Sequence, residues 1–261
     1  MPDYFPATDL LRERVLLITG AAGGIGHAVA LACARHDAQV ILHDRTEKSL
    51  EKIYDEIEAG GGPAPAMLPL DLVQATPDAC AALAQTVERE FGRLDGLLHC
   101  AAELGVLAPL ELYEPPTWLR VLQVNLTAVW LVTRACLPLL KQASDASIVF
   151  TTADVGRQGR AYWGAYGVAA FGLEGMVQIF AEELAAWPKL RVNSIDPGNV
   201  RTTMRAKVYP GEDPNIHPLP EEIVMSYLYL LGPDSHGLTG RGFRARRGNK
   251  PPLESVKPVN L

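Results

Sequence analysis

Short apolar runs alternate with longer amphipathic stretches along most of the chain, and this alternation predicts its elements. Val15–Ile18 has the character of a buried strand and ends in Thr19-Gly20. Apolar positions at Ile25, Val29, Ala30 and Cys33 then fit one face of a helix reaching about His36. Gln39–His43 forms a second strand that stops at Asp44-Arg45, and Thr46 can cap a helix carrying Leu50, Ile53, Tyr54 and Ile57. Gly60-Gly61-Gly62-Pro63 breaks that helix before a third strand, Ala66–Leu70, which ends in Asp71. A helix near Pro77–Phe91 leads to the strand Gly96–Cys100. Such alternation predicts a parallel sheet covered on both faces.

The second half continues the pattern and then breaks it. Pro116–Gln142 reads as a long helix with Trp118, Val121, Leu122, Leu126, Val129 and Trp130 among its apolar positions, and Pro138 implies a kink or an early stop. Ser147–Thr152 is the fifth strand, Gly164–Ala186 a long helix rich in Ala and Gly, and Leu190–Ile195 the sixth strand. Small residues on that helix permit close backbone approach, either to a partner subunit or to its own sheet. Past Gly198, four prolines (210, 214, 218 and 220) stand among Val208, Tyr209, Ile216 and His217. Residues 203–220 are therefore expected to be a substrate lid without regular structure. Glu221–Leu231 resumes as a helix, a last strand is expected near Gly242–Ala245, and residues 247–261 are expected to be an irregular tail. The whole, 1–261, suits a single α/β domain with about seven strands.

A formal charge of −6 argues against nucleic acid as a partner, since phosphate binding needs a basic face. The cluster Arg241, Arg244, Arg246, Arg247 and Lys250 reads first as a solvated edge. Cys33, Cys80, Cys100 and Cys136 lie far apart without zinc spacing, so no metal is expected and the thiols suit a reducing compartment. Met1–Arg14 is too polar for a signal peptide, and Gln123, Asn125 and Arg134 make Val121–Leu140 too polar to span a membrane. The expectation is a soluble cytoplasmic protein without a membrane partner.

Chemistry concentrates first at Thr19-Gly20-Ala21-Ala22-Gly23-Gly24-Ile25-Gly26, between a strand and a helix. Gly20 allows a tight turn, Gly24 lets a pyrophosphate approach the backbone, and Gly26 lets the helix pack closely on the strand. The helix N-terminus then offers N–H groups and positive dipole to an anion. Asp44 ends the second strand twenty-four residues after Gly20, where a carboxylate would accept hydrogen bonds from ribose hydroxyls and repel a 2′-phosphate. It could equally be a helix N-cap, and Arg45 could pair with that phosphate. The expectation is NAD(H) in preference to NADP(H).

In order and spacing the residues resemble the short-chain dehydrogenase/reductase family over nearly the whole chain. The matching pieces are Thr19–Gly26, Asp71, Asn125, Tyr166, and Pro197-Gly198 with Thr202. Val155–Tyr166, with Thr202–Arg205, is similar to the YciK branch, whose members are described as oxidoreductases of uncertain substrate. The resemblance implies a doubly wound Rossmann-type sheet and hydride transfer between a nicotinamide and a carbonyl or alcohol. It further implies cofactor contacts from Thr19, Gly20, Gly23, Gly24, Ile25, Gly26, Asp44, Arg45, Asp71, Leu72, Cys100, Ala101, Pro197, Gly198 and Thr202. Family resemblance also implies a homodimer or homotetramer built on the two long helices, with Trp118, Trp130 and Phe180 as candidate contacts or, equally, core residues.

In the family a Tyr moves the proton, which is Tyr166 here, and an Asn on the long helix, Asn125, anchors a relay water. A Ser thirteen residues before the Tyr polarises the carbonyl, and a Lys four residues after it lowers the Tyr pKa and holds the ribose. Those positions are Ala153 and Ala170, and the family's Asn-Ala-Gly run is Cys100-Ala101-Ala102. Thr152 points to the opposite face from residue 153, and Thr151 lies about 6–7 Å back along the strand, so neither replaces the serine well. Arg157 and Arg160 read as a structural corner, and Tyr166 could itself be a packed aromatic. Two functions are therefore carried: an oxidoreductase with an atypical site, or a catalytically silent dinucleotide binder acting as a sensor or partner subunit.

Overall fold

The computed structural model describes residues 3–256. Every residue of β1 (Val15–Thr19) is buried, as a central parallel strand flanked by helices on both faces requires. Around it β2 (Gln39–His43), β3 (Ala66–Met67), β4 (Gly96–His99), β5 (Ala146–Thr151), β6 (Leu190–Asp196), β7 (Arg241–Arg244) and β8 (Leu253–Val256) form one sheet. Its order is β3-β2-β1-β4-β5-β6-β7-β8, parallel except for the β7–β8 pair. Helices α1 (Gly24–Arg35), α2 (Glu47–Ala59) and α8 (Val224–Leu231) bury their apolar residues on one face. The other face is covered by α3 (Pro77–Phe91), α5 (Ala128–Gln142) and α6 (Gly164–Glu183), while α4 (Pro115–Leu122) buries Val121 in a small separate cluster with Tyr113 and Ala165. The register sets Thr19 opposite both His43 and His99, and His99 opposite Phe150, so these four side chains share one face at the C-terminal edge.

Several elements differ from the sequence reading. The third strand is short because Pro69 has no N–H to donate, although Leu68 N and Leu70 N still bond to β2 and its extension. Pro138 neither ends nor replaces the long helix, which runs on to Gln142. The irregularity lies instead at Gln123–Thr127, a π-helical turn joining α4 to α5. The lid is partly regular: α7 (Thr203–Val208) forms because Thr202 caps it, its side chain accepting from Arg205 N. The tail is not irregular throughout, since β8 pairs antiparallel with β7, supported by the Arg241–Glu254 ion pair at 3.0 Å. Residues 257–261 of that predicted tail lie outside the described residues.

The composite helix Pro115–Gln142 is, by length and composition, apolar enough to cross a membrane, contrary to the reading of Val121–Leu140 as too polar. Half of its most apolar stretch is buried inside this protein, where Val124, Val129, Val132 and Cys136 join the core. Phe180 is buried in the core, and Trp118 packs edge-on against Tyr113 at 5.8 Å. Trp130 remains exposed.

Candidate active site

At the end of β1 the backbone turns through Gly20 at φ +70°, where a Cβ would meet the backbone of Ala101; one on Gly26 would strike the Gly20 carbonyl. The turn therefore packs backbone on backbone. No side chain caps α1, and Gly24 at its start is exposed, so the N–H groups of its first turn have no side-chain partner. Thr19 Oγ1 accepts from Cys100 N at 3.2 Å and Ala101 N at 3.3 Å, tying the ends of β1 and β4 together. These are the neighbouring strands at which the sheet order reverses, the usual ligand crevice of such folds.

Asp44 Oδ2 accepts from Ala22 N at 3.1 Å and Oδ1 from Arg45 N at 2.8 Å, so the carboxylate is held beside the turn. It is not the N-cap of α2, which is Thr46. Asp71 accepts from Val73 N at 3.0 Å, with Leu72 buried behind it. At the end of β6, Gly198 N donates to Asp196 Oδ1 at 2.8 Å, forming the Pro197-Gly198 bend, and Thr202 lies against Gly24. Ile25 is half-buried at the start of α1, and Arg45 is exposed. The residues expected to hold a dinucleotide are thus gathered at one edge, around a glycine cradle and an uncapped helix end that fit a pyrophosphate.

Tyr166 stands near the start of α6, its ring 5.7 Å from that of Trp163. Burial, then the charges of Asp196 and Asp154, push its phenol up to about 12, above the value near 10 that the absence of a cation alone implies. Ala170, one helical turn on, is 5% exposed, and Ala153 is half-buried at the end of β5. Thr152 Oγ1 is occupied on the other face, donating to Glu174 at 2.7 Å; Thr151 Oγ1 lies 3.1 Å from Cys100 Sγ and 3.5 Å from Tyr227 Oη. Asn125, on the π-helical turn, spends its side chain on the loop after β4. It accepts from Glu103 N and donates to Glu103 O, both at 2.7 Å.

A family profile described as short chain dehydrogenase matches residues 14–213. The chain belongs to the short-chain dehydrogenase/reductase family. Within this family of NAD(P)-dependent oxidoreductases it is 44% identical to the uncharacterized oxidoreductase YciK of Escherichia coli over 95% of this chain and 98% of that protein. It is 32% identical to cyclohexanol dehydrogenase of an Acinetobacter species over 89% of this chain and 93% of that one. A Shigella flexneri chain solved in complex with NADP superposes with a TM-score of 0.89 at 43% identity, covering 91% of this chain and 99% of that chain.

Family membership gives the dinucleotide cradle its meaning, while other polar residues serve the scaffold. Arg157 is a corner, as expected: it pairs with Glu174 at 3.0 Å and donates to Phe243 O at 3.2 Å, and Arg160 pairs with Asp154 at 2.6 Å. In the basic cluster, Arg241 pairs with Glu254, Arg247 with Glu222, and Arg244 approaches Asp196 at 3.8 Å. Sequence reasoning does not reveal Asp196 and Asp154 as charges acting on Tyr166, nor Tyr227, whose hydroxyl lies 3.5 Å from Thr151 Oγ1. Asp196 could have been found from its place before Pro197-Gly198; Tyr227 looked like any apolar-face residue of a helix.

Proposed function

We propose that the protein binds a nicotinamide dinucleotide in an intact cradle and that its ordinary dehydrogenase or reductase activity is weak or absent. The observation that carries this reading is the setting of Tyr166, which has Ala170 where the family has a lysine and two carboxylates where a cation would lower its pKa. A bound nicotinamide supplies or accepts the hydride. Tyr166 holds the proton for the oxygen, Asn125 fixes the loop beside it, and no side chain at position 153 polarises a carbonyl. A second reading, a silent binder acting as a sensor or partner subunit, draws on the same contrast between a complete cradle and a depleted proton-transfer site. Steady-state turnover on a panel of ketones and alcohols, set against dinucleotide titration, separates the two.

The proposed cofactor is NAD(H) in preference to NADP(H), although a relative was solved with NADP. Asp44 is fixed by two backbone N–H groups with its charge where the adenosine ribose is expected. One ribose-binding carboxylate is worth ~1.4 kcal/mol, or about tenfold. Calorimetry should therefore show NADH binding about tenfold tighter than NADPH; the reverse order would overturn the assignment and credit Arg45.

The proposed assembly is a homodimer or homotetramer. Val168, Phe171 and Ile179 stand exposed on one stripe of α6, and Gly175 on that stripe has open space before it. Leu119 and Trp130 add exposed apolar surface on α4 and α5. Light scattering at micromolar concentration should return a dimer or larger, and a monomer would refute the assembly.

A further inference from the structure

We propose that the cleft between the loop after β4 and the lid helix α7 binds an aliphatic monocarboxylate, Lys207 receiving the carboxylate and Leu104, Val106 and Leu107 the hydrocarbon chain. As a substrate class this rests on the oxidoreductase reading above. The cleft, of about 380 Å³, is lined by Glu103, Leu104, Gly105, Val106, Leu107 and Lys207, and its volume suits a small ligand. It adjoins the dinucleotide crevice, because its loop continues from Cys100-Ala101 and its helix follows Thr202.

Both walls are pre-formed. Asn125 clamps both backbone groups of Glu103, Gly105 turns at φ +69° against Tyr113, and Ala108 N donates to Tyr162 O at 3.1 Å. Held in this way, the loop leaves Val106 47% and Leu107 40% exposed toward the cleft. On the other side Arg205 fastens α7, bonding Glu212 through two nitrogens at 2.7 and 2.8 Å and stacking over Tyr209 at 3.9 Å. Rigid walls lower the ordering cost of binding.

Charge then selects the head group. Glu103 is paired with Arg120 at 2.5 Å, whereas among the described residues no carboxylate pairs with Lys207. A cation beside an apolar wall matches a ligand with a negative tip and a hydrocarbon body. One cation, Lys207, on the cleft wall of a chain of net charge −6 matches a single negative charge better than the two of a phosphate monoester.

The test uses the full-length protein with octanoate as probe, and octylamine, 1-octanol and octyl phosphate as comparators, each titrated with and without NADH. Octanoate should bind, more weakly as salt rises, with octylamine and octanol at least tenfold weaker. Lys207→Met should weaken octanoate by about tenfold, the scale of a charge-assisted contact, and Lys207→Arg should keep most of the affinity. No octanoate binding, equal binding to Lys207→Met, or tighter octylamine or octyl phosphate would overturn the proposal. NADH titration of the same samples separates the two failures. NADH binding without octanoate binding removes this inference alone, and octanoate binding without NADH binding removes the oxidoreductase reading while leaving the ligand class of the cleft in place.

Discussion

Purified protein should turn over ketones and alcohols far below about 1 s⁻¹, the lower end of typical enzymes, and its residual activity should favour carbonyl reduction and vanish in Tyr166→Phe. Alcohol oxidation needs Tyr166 as phenolate. With its phenol pushed up to about 12 by burial, Asp196 and Asp154, only roughly one molecule in 10⁵ carries that phenolate at pH 7. Oxidation should therefore rise about tenfold per pH unit with no plateau below pH 10. Reduction starts from the neutral phenol, which is present in full, but the donor missing at Ala153 costs on the order of 10²–10³ in rate. Without a side chain at Ala170 to hold the ribose, the nicotinamide is also less well placed. Ala153→Ser with Ala170→Lys should raise the rate more than the two single changes combined, because these groups act as a unit. Wild-type turnover above about 1 s⁻¹ that survives Tyr166→Phe would show that the chemistry runs elsewhere.

The main architecture was legible because periodicity and punctuation agreed. The glycine turn sits between an apolar run and an amphipathic stretch, and the structure places it at the strand-order reversal. What stayed hidden depended on partners distant in sequence. The segment Leu253–Val256 becomes a strand only because β7 offers it an unpaired edge, and no local pattern announces that. The short helix α7 follows from one cap and was masked by the prolines around it. Pro138 lies inside a helix that still reaches Gln142, the end expected from the sequence, because packing on both sides of a proline lets the helix tolerate the lost hydrogen bond. Spacing identifies Tyr166 but not its raised pKa, since Asp196 acts on it from the end of β6, distant in sequence. In the sequence His43 is simply the last residue of a strand, and nothing in the local pattern shows that its ring is buried without a hydrogen-bond partner.

That histidine and His99 should make the fold acid-labile in a window unrelated to the carboxylates. His43 is 1% exposed, and neither ring nitrogen has a hydrogen-bond partner; burial drives its pKa down to about 4, against a smaller upward pull from Asp44. His99 is 3% exposed and stacked on Phe150 at 5.0 Å. Burial, reinforced by His43, lowers its pKa to about 3. Thr133 Oγ1 donates to Val129 O at 2.8 Å, so at 2.9 Å it accepts from His99 Nε2, which fixes the neutral tautomer with its proton on Nε2. Both histidines bind protons more readily when unfolded, near the ordinary pKa of about 6.5, than when folded. Their contribution is therefore complete above about pH 6.5 and declines as pH falls toward the folded values, by about 2 kcal/mol per histidine at pH 5. Asp196 works in the opposite sense, since burial raises its carboxyl and its protonation favours the folded state. A combined loss of about 4 kcal/mol is a large share of the 5–15 kcal/mol typical of a whole domain. Urea unfolding at pH 7 and pH 5 should show this difference, with close to two extra protons taken up on unfolding at the lower pH. His43→Ala should remove about half of the dependence, and stability that agrees within about 1 kcal/mol between the two pH values would mean that one or both rings are already solvated or paired in the folded protein.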